Sequence, residues 1–190
     1  MRMGQAVTRR RALAGLLGLA LLAGCAGLTQ PGGSARPELP AIVFVHGNGD
    51  TAALWHTTVW RFESNGYDRR LLHAIDFANP LARASDAVAQ ENRSSTAQQR
   101  DELAAKVAEV KRLTGRATVA LVGSSRGGNA IRNYLKNGGG PAHVSLAVLG
   151  GTPNHGVRAG DDGLGYEFNG KGPFLTQLNA GPTEVVEGVA

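Results

Sequence analysis

Residues 117–135 read ATVALVGSSRGGNAIRNYL, and this stretch decides the interpretation of the whole chain. The apolar run at residues 117–122 is typical of a buried strand. It leads through the turn Gly123-Ser124-Ser125-Arg126-Gly127 into a segment whose apolar residues recur at helical spacing. A strand, a Gly-x-Ser-x-Gly turn and a helix, in this order, form a nucleophile elbow, which holds its central serine in a strained conformation with the hydroxyl exposed. The sequence therefore predicts that Ser125 is a nucleophile.

The Gly-x-Ser-x-Gly pattern alone is a weak signal. Glycine makes up 27 of the 190 residues, so a chance match is plausible, and the alternative is a plain Gly-rich turn. The strand before the pattern and the helix after it favour the catalytic interpretation.

A second buried strand, AIVFV at residues 41–45, is followed by His46-Gly47-Asn48-Gly49-Asp50. A strand followed by His-Gly and a small flexible loop supplies a backbone N–H that stabilises an oxyanion. The predicted donors are the N–H of Asn48 and the N–H of Arg126. The alternative is a Gly-rich turn that needs positive φ angles. For His46 we predict an architectural hydrogen-bonding role in the loop.

Four further segments complete the predicted order of elements. They are a helix at residues 51–65, a strand at 70–77, a helix at 94–114 and a strand at 143–149. A surface loop is expected at residues 81–93, and Trp55 and Trp60 are expected in the core or in a pocket wall. Strands that alternate with helices through short turns predict an α/β fold, with a parallel sheet covered by helices on both faces.

The helix at residues 94–114 has the clearest boundaries. Ser95 or Thr96 caps its start, with Gln98 or Gln99 three residues on, and Gly115 ends it. Its predicted buried stripe consists of Leu103, Val107, Val110 and Leu113.

The first 25 residues have the features of an export signal. Four arginines precede a short apolar core at residues 12–23, which is too short to be a permanent membrane span. Leu22-Ala23-Gly24-Cys25 resembles the lipobox of bacterial lipoproteins, and residues 8–13 resemble a twin-arginine signal. We expect lipidation of Cys25, and the alternative is a simple cleaved signal.

Lipidation would place the protein on the periplasmic side of a membrane. Ala26 stands where an aspartate resembles an inner-membrane retention signal, so the outer membrane is favoured. Residues 26–40 are rich in Pro, Gly and Ser, which predicts a flexible tether.

Charge and cysteine content exclude several classes of protein. Four of the 20 basic residues precede Cys25, which leaves 16 basic residues against 15 acidic ones. A nearly neutral domain without a basic stripe indicates no nucleic-acid partner. With its one cysteine at the lipobox, the domain has no disulfide, and the five histidines show no metal-ligand spacing.

Together these motifs resemble the α/β-hydrolase superfamily and, more narrowly, the small bacterial triacylglycerol lipases of the class 2 family. The similarity covers residues 40–156, in the order VFVHGNGD, HAIDF, the long helix, ALVGSSRGG and AVLGGTPNHG. It implies an α/β-hydrolase core at residues 41–156 and a Gly-rich irregular segment at 157–190. It also implies a serine carboxylic ester hydrolase acting on small-molecule or lipid esters without a cofactor. In that reaction Ser125 is the nucleophile and the amides of Asn48 and Arg126 form the oxyanion hole.

The sequence departs from the family pattern after the elbow. The family order is serine, acid and then histidine, but only His143 and His155 follow Ser125. His143 is expected at the end of the sheet away from the elbow, and His155 in a loop near the site. The later carboxylates have no histidine behind them: Asp161, Asp162, Glu167, Glu184 and Glu187.

These departures suggest a fragment of a longer lipase-like protein, without the triad acid and histidine. A fragment of this kind would leave an unpaired sheet edge after Leu149. The alternative function is a non-catalytic binding lipoprotein that has kept the α/β-hydrolase fold.

Overall fold

The computed structural model of the chain describes residues 38–157, 166–181 and 187–190. The predicted export signal, the lipidation candidate Cys25 and most of the predicted tether lie outside these ranges. So do Asp161, Asp162 and Glu184. The interpretations of these residues stay predictions.

The described strands and helices alternate along the chain. In order they are β1 (Ala41–Val45), α1 (His56–Ser64), β2 (Leu72–Ala74), β3 (Leu81–Ala82), β4 (Arg93–Ser94), α2 (Thr96–Thr114), β5 (Val119–Ser124), α3 (Arg126–Asn137), β6 (Val144–Gly150) and α4 (Pro173–Leu178). Short 3₁₀ turns precede α1, β2, β6 and α4.

The main sheet has four parallel strands in the order β2-β1-β5-β6. β1 is fully buried, as its continuous apolar sequence predicts for an inner strand of a parallel sheet. Val45, the last residue of β1, pairs with Gly123 near the end of β5. Because parallel strands end at the same edge, the loop that follows β1 and the turn that follows β5 are neighbours.

Helices cover both faces of this sheet, which confirms the predicted α/β architecture. On one face, α2 and α3 pack on β1 and β5 in a core cluster that includes Val43, Val45, Leu103, Val107, Leu121, Ile131 and Tyr134. On the other face, α1 packs on β1 and β2 in a smaller cluster of Ile42, Phe44, Val59, Leu72 and Ala120.

The boundaries of α2 confirm the signals in its sequence. Ser95 and Gln98 form a reciprocal capping box, and Gly115 ends the helix with a φ of 71°. The predicted stripe is correct at its first three residues and wrong at Leu113, which is 56% exposed. At about 100° per residue, Leu113 points roughly 80° away from Leu103, whereas Thr114 returns to the buried side.

Two local predictions between residues 70 and 93 need correction. The strand predicted at 70–77 is reduced to β2, because Asp68 caps a 3₁₀ turn before it and the last hydrogen bond to β1 is that of Ile75 N to Phe44 O. The predicted surface loop at 81–93 contains β3 and β4, which form a separate two-stranded parallel ladder.

The C-terminal part packs against α3. Phe174, Leu175 and Leu178 of α4 are buried and form a small cluster with Tyr166. Lys136 of α3 donates hydrogen bonds to the carbonyls at the end of α4, those of Gln177, Leu178 and Ala180. A cation at a helix C-terminus is favourable because it satisfies carbonyls that have no partner within the helix.

The expectation of an unpaired sheet edge needs correction at one position. The N–H of Ala190 donates to Ser145 O at 3.1 Å, and Ala190 O accepts from Ala147 N at 2.8 Å, so this residue pairs with the outer edge of β6. Leu146, Val148 and Leu149 are nevertheless more than one third exposed.

The burial of α2 predicts a contrast between two of its leucines. Leu103→Ala should lower the free energy of unfolding by about 2–5 kcal/mol, because it removes a fully buried side chain from the main core. Leu113→Ala is the matched control and should change it by less than about 1 kcal/mol. Urea unfolding followed by circular dichroism measures both. Equal losses in the two variants would contradict the assigned helix orientation.

Candidate active site

Ser125 has an unusual backbone conformation at the junction of β5 and α3. Its φ is 52° and its ψ is −122°, and in the described part of the chain only Asn92 shares a positive φ among non-glycine residues. Such a conformation costs on the order of 1–3 kcal/mol and persists where surrounding contacts enforce it. Here the N–H of Ser125 donates to Gly150 O at 2.9 Å, and Ser125 O accepts from Gly128 N at 3.0 Å.

The Ser125 side chain is half-buried at the start of α3. Its hydroxyl makes no hydrogen bond with the described residues, so it has no competing partner there. This geometry agrees with the strained, accessible serine that the sequence predicts.

The glycines of the elbow are required by close backbone approach. A Cβ at Gly127 would lie 2.4 Å from Val45 O, and a Cβ at Gly123 would lie 2.9 Å from Gly128 N. Gly128 is constrained by a side chain instead, because a Cβ there would lie 1.8 Å from Thr152 Oγ1 and 2.7 Å from Thr152 Cβ. The sequence pattern identified Gly123 and Gly127 but missed Gly128, whose partner lies 24 residues further on.

The loop that follows β1 crosses directly over Ser125. A Cβ at Gly47 would lie 3.1 Å from Ser125 Cβ. The loop is anchored on the chain beyond β2, where Ala82 N donates to Asn48 Oδ1 at 2.7 Å and Gly49 N donates to Pro80 O at 3.1 Å. The backbone N–H of Asn48 has no hydrogen bond with the residues that the structure describes.

His46 has the architectural role that was predicted. It is fully buried, its Nδ1 lies 2.9 Å from Gly47 O, and its Nε2 accepts the N–H of Phe77 at 3.3 Å. Both ring nitrogens are therefore engaged in holding the loop, and neither is available as a catalytic base.

The two later histidines lie at opposite ends of the edge strand β6. His143 immediately precedes β6, at the end of the strands away from Ser125, as predicted. Its Nδ1 lies 2.8 Å from Lys111 Nζ. His155 follows β6 at the same edge as Ser125, is exposed, and has its Nδ1 3.3 Å from Asn179 Nδ2. Its role in the reaction stays a prediction.

Arg126 and Glu167 form a buried ion pair directly behind the elbow. Arg126 is fully buried; its Nε donates to the Glu167 carboxylate, Nη1 to Pro80 O at 2.8 Å, and Nη2 to Ser94 O at 2.9 Å. Burial raises the pKa of Glu167 to about 7, although the Arg126 charge acts to lower it. Burial likewise lowers the pKa of Arg126, which the Glu167 charge opposes.

Sequence reasoning missed this pair. The sequence pattern identifies Glu167 only as a carboxylate without a later histidine, and Arg126 only as a donor through its backbone N–H. A charged residue inside the elbow was the one available signal, because charged residues are rarely fully buried without a partner.

The two tryptophans have different environments. Trp55 is half-buried and packs on Phe44, with ring centroids 5.2 Å apart, whereas Trp60 is 65% exposed. Trp60 lines a surface cleft of about 380 Å³ between α1 and β2, and this cleft does not include Ser125. The cleft is therefore separate from the candidate nucleophile.

The described residues contain neither a cluster of metal ligands nor a membrane-spanning helix. Among the described residues, no group of histidine, cysteine and carboxylate side chains is arranged to hold a metal ion. Within the same ranges, no helix has the length and apolar character needed to cross a membrane.

The parallel sheet, the serine at a strained strand–helix turn and the crossing loop define an α/β-hydrolase. A profile of the family described as Lipase (class 2) matches residues 39–159 of the chain. Since this match covers more than half of the sequence, the chain belongs to the class 2 lipase family. No match was found among curated proteins.

Solved structures share this fold. The mature form of the Bacillus licheniformis lipase BlEst2 is 25% identical with a TM-score of 0.56, covering 78% of this chain and 61% of that one. Aspergillus fumigatus lipase B is 13% identical with a TM-score of 0.54, covering 74% of this chain and 33% of that one. The lin2722 gene product of Listeria innocua is 16% identical with a TM-score of 0.52, covering 80% and 68%. The chain thus spans less than two thirds of the length of either lipase.

The strain at Ser125 predicts an unusual order of stabilities. Ser125→Gly should be about 1 kcal/mol more stable than Ser125→Ala, because both lose the hydroxyl but only alanine retains a Cβ at positive φ. Thermal and urea unfolding of the two variants measure the difference. An alanine variant as stable as the glycine variant would show that the backbone is not strained at this position.

Proposed function

We propose that this protein is an exported serine carboxylic ester hydrolase of the lipase or esterase type, with Ser125 as its nucleophile. The observation that carries the proposal is the positive φ of Ser125 at the junction of β5 and α3. A strained serine there is the expected geometry of a nucleophile elbow, and membership of the lipase family supports an ester substrate.

Each proposed residue has a definite part in the reaction. Ser125 Oγ attacks the ester carbonyl carbon while a base takes its proton, and the carbonyl oxygen becomes an oxyanion. The N–H groups of Asn48 and Arg126 bind this oxyanion, and loss of one such donor typically costs about 100-fold or more in turnover. The oxyanion then collapses, the alcohol leaves with a proton, and water hydrolyses the acyl-enzyme.

The base and the acid complete this proposal. The chain spans 61% of the length of the mature Bacillus lipase. We therefore propose that the triad acid and histidine lie in sequence outside these 190 residues. We also propose that the whole protein is catalytically active. His155, at the same edge of the sheet as Ser125, is the alternative base within the chain.

Labelling by a fluorophosphonate tests the nucleophile. We expect mass spectrometry to find the adduct on Ser125, at a rate that rises when imidazole is supplied as an external base. Ser125→Ala should abolish labelling, whereas Ser124→Ala, the matched control one residue earlier, should label like the unmodified chain.

The same assay separates the two function classes. No adduct on Ser125 even with imidazole, or equal labelling of Ser124, would favour a non-catalytic binding lipoprotein. Turnover of a p-nitrophenyl ester without added base, lost in both Ser125→Ala and His155→Ala, would show instead that the chain supplies its own base.

Export and anchoring form the second part of the proposal. The Arg-rich start, the apolar core and the lipobox-like sequence ending at Cys25 support a lipid anchor, and Ala26 favours the outer membrane. Expression with radiolabelled palmitate in a Gram-negative host should give a labelled band in the membrane fraction. Cys25→Ser should remove that label, and retention of the label in this variant would contradict lipidation at Cys25.

A further inference from the structure

The Arg126 side chain has no part in the oxyanion chemistry as so far described. Any residue except proline supplies a backbone N–H at this position, so the hydrogen bond to an oxyanion does not require arginine. Burying a full guanidinium charge is nevertheless costly unless the charge is paired and its donors are satisfied. The burial of Arg126 next to the nucleophile therefore calls for its own explanation.

The guanidinium group joins three separate segments of the chain. Its donors reach the carboxylate of Glu167, the carbonyl of Pro80 and the carbonyl of Ser94. These partners precede α4, follow β2 and precede α2, respectively. The planar fork of an arginine donates in several fixed directions at once, which the single ammonium of a lysine does not do.

The carbonyl of Pro80 connects Arg126 to the other side of the site. Pro80 O accepts a hydrogen bond from Arg126 Nη1 at 2.8 Å and a second from Gly49 N at 3.1 Å. Two residues later, Ala82 N donates to the side chain of Asn48. The loop that carries the Asn48 amide is thus attached to the same carbonyl as the Arg126 side chain.

We infer that the Arg126 side chain, held by Glu167, is a positioning residue that fixes the two proposed oxyanion donors relative to each other through Pro80 O. One donor is the N–H of Arg126 itself, and the other is the N–H of Asn48 on the loop fastened to Pro80. The identity of these donors rests on the proposed function, whereas the mechanical link between loop and elbow does not.

A stabilising role alone does not account for this arrangement. Buried ion pairs are often replaced by apolar residues of similar size without loss of stability, so an apolar pair would serve equally well as packing. An apolar pair would not reproduce the directed hydrogen bond to Pro80 O. The distinguishing property of Arg126 is therefore the direction of its donors.

The double variant Arg126→Met with Glu167→Leu removes the link without leaving a charge buried. We expect it to unfold cooperatively while fluorophosphonate labelling of Ser125 slows by about tenfold or more, because the oxyanion donors lose their fixed separation. The matched control is Lys106→Met with Glu109→Leu, which removes a partly exposed ion pair on α2, remote from the elbow in sequence, and should label within about twofold of the unmodified chain. Labelling of the buried-pair variant within twofold would overturn the inference.

Amide hydrogen exchange gives a readout that does not depend on catalysis. We expect the Gly49 N–H to exchange about tenfold faster in the double variant, while the Gly115 N–H, bonded to Lys111 O at the far end of α2, keeps its rate. An unchanged Gly49 rate would overturn the link. If the unmodified chain fails to label but Gly49 responds in this way, the proposed function is wrong and the link between loop and elbow stands.

Two further measurements keep the test decisive if the double variant does not fold. Arg126→Lys retains the charge opposite Glu167 but not the three-way donation, and should also speed exchange at Gly49. In the unmodified protein, the Gly49 and Ser125 amides should be protected to within about tenfold of each other, because the link makes them open together. A Gly49 amide that opens far more readily than the Ser125 amide would overturn the inference without any substitution.

Discussion

Backbone contact between the start of α3 and the end of β1 governs the geometry of this site. At Gly127 these two backbone segments come so close that a Cβ would lie 2.4 Å from Val45 O. This approach is possible because β1 and β5 are neighbouring parallel strands, so the segments that follow them leave the sheet at the same end. Any larger residue would push α3 outward and withdraw Ser125 from Gly150 O and from the loop at Gly47. The lack of a side chain at Gly127 therefore allows Ser125 and the loop at Gly47 to take their observed positions.

The two helices on one face of the sheet bury polar side chains as well as apolar ones. Arg126, Asn129 and Gln99 are each at least 99% buried, and the side-chain amides of Asn129 and Gln99 have no hydrogen-bond partner in the described part of the chain. Each unsatisfied group of this kind costs roughly 1–3 kcal/mol. The apolar cluster along β1, β5, α2 and α3 offsets that cost. Buried polar groups that lower stability are expected near a functional site, where local stability is given up for function.

What the sequence predicted well was local in origin. The buried run of β1, the capping box at Ser95 and the Gly-x-Ser-x-Gly turn each depend on residues a few positions apart, and the structure reproduces all three. What it missed depends on distant partners. The Arg126–Glu167 pair joins residues 41 positions apart, and Gly128 is constrained by Thr152. Neither contact leaves a periodic trace, because periodicity records which face of an element is buried and not which group it meets.

The conformation of Ser125 bears on whether the fold is used for binding or for catalysis. A binding protein gains nothing from a serine at a φ of 52°, because glycine would adopt that conformation without strain. The strain at Ser125 has a functional explanation if the hydroxyl oxygen is needed at the position where this backbone holds it. A Cβ at Gly47 would lie 3.6 Å from that oxygen, and α3 begins at the next residue, so an anionic oxygen of a ligand would be favoured near this helix start as well. An anion site alone would require the amides and not the hydroxyl, so a serine at this position is consistent with the nucleophile proposed above.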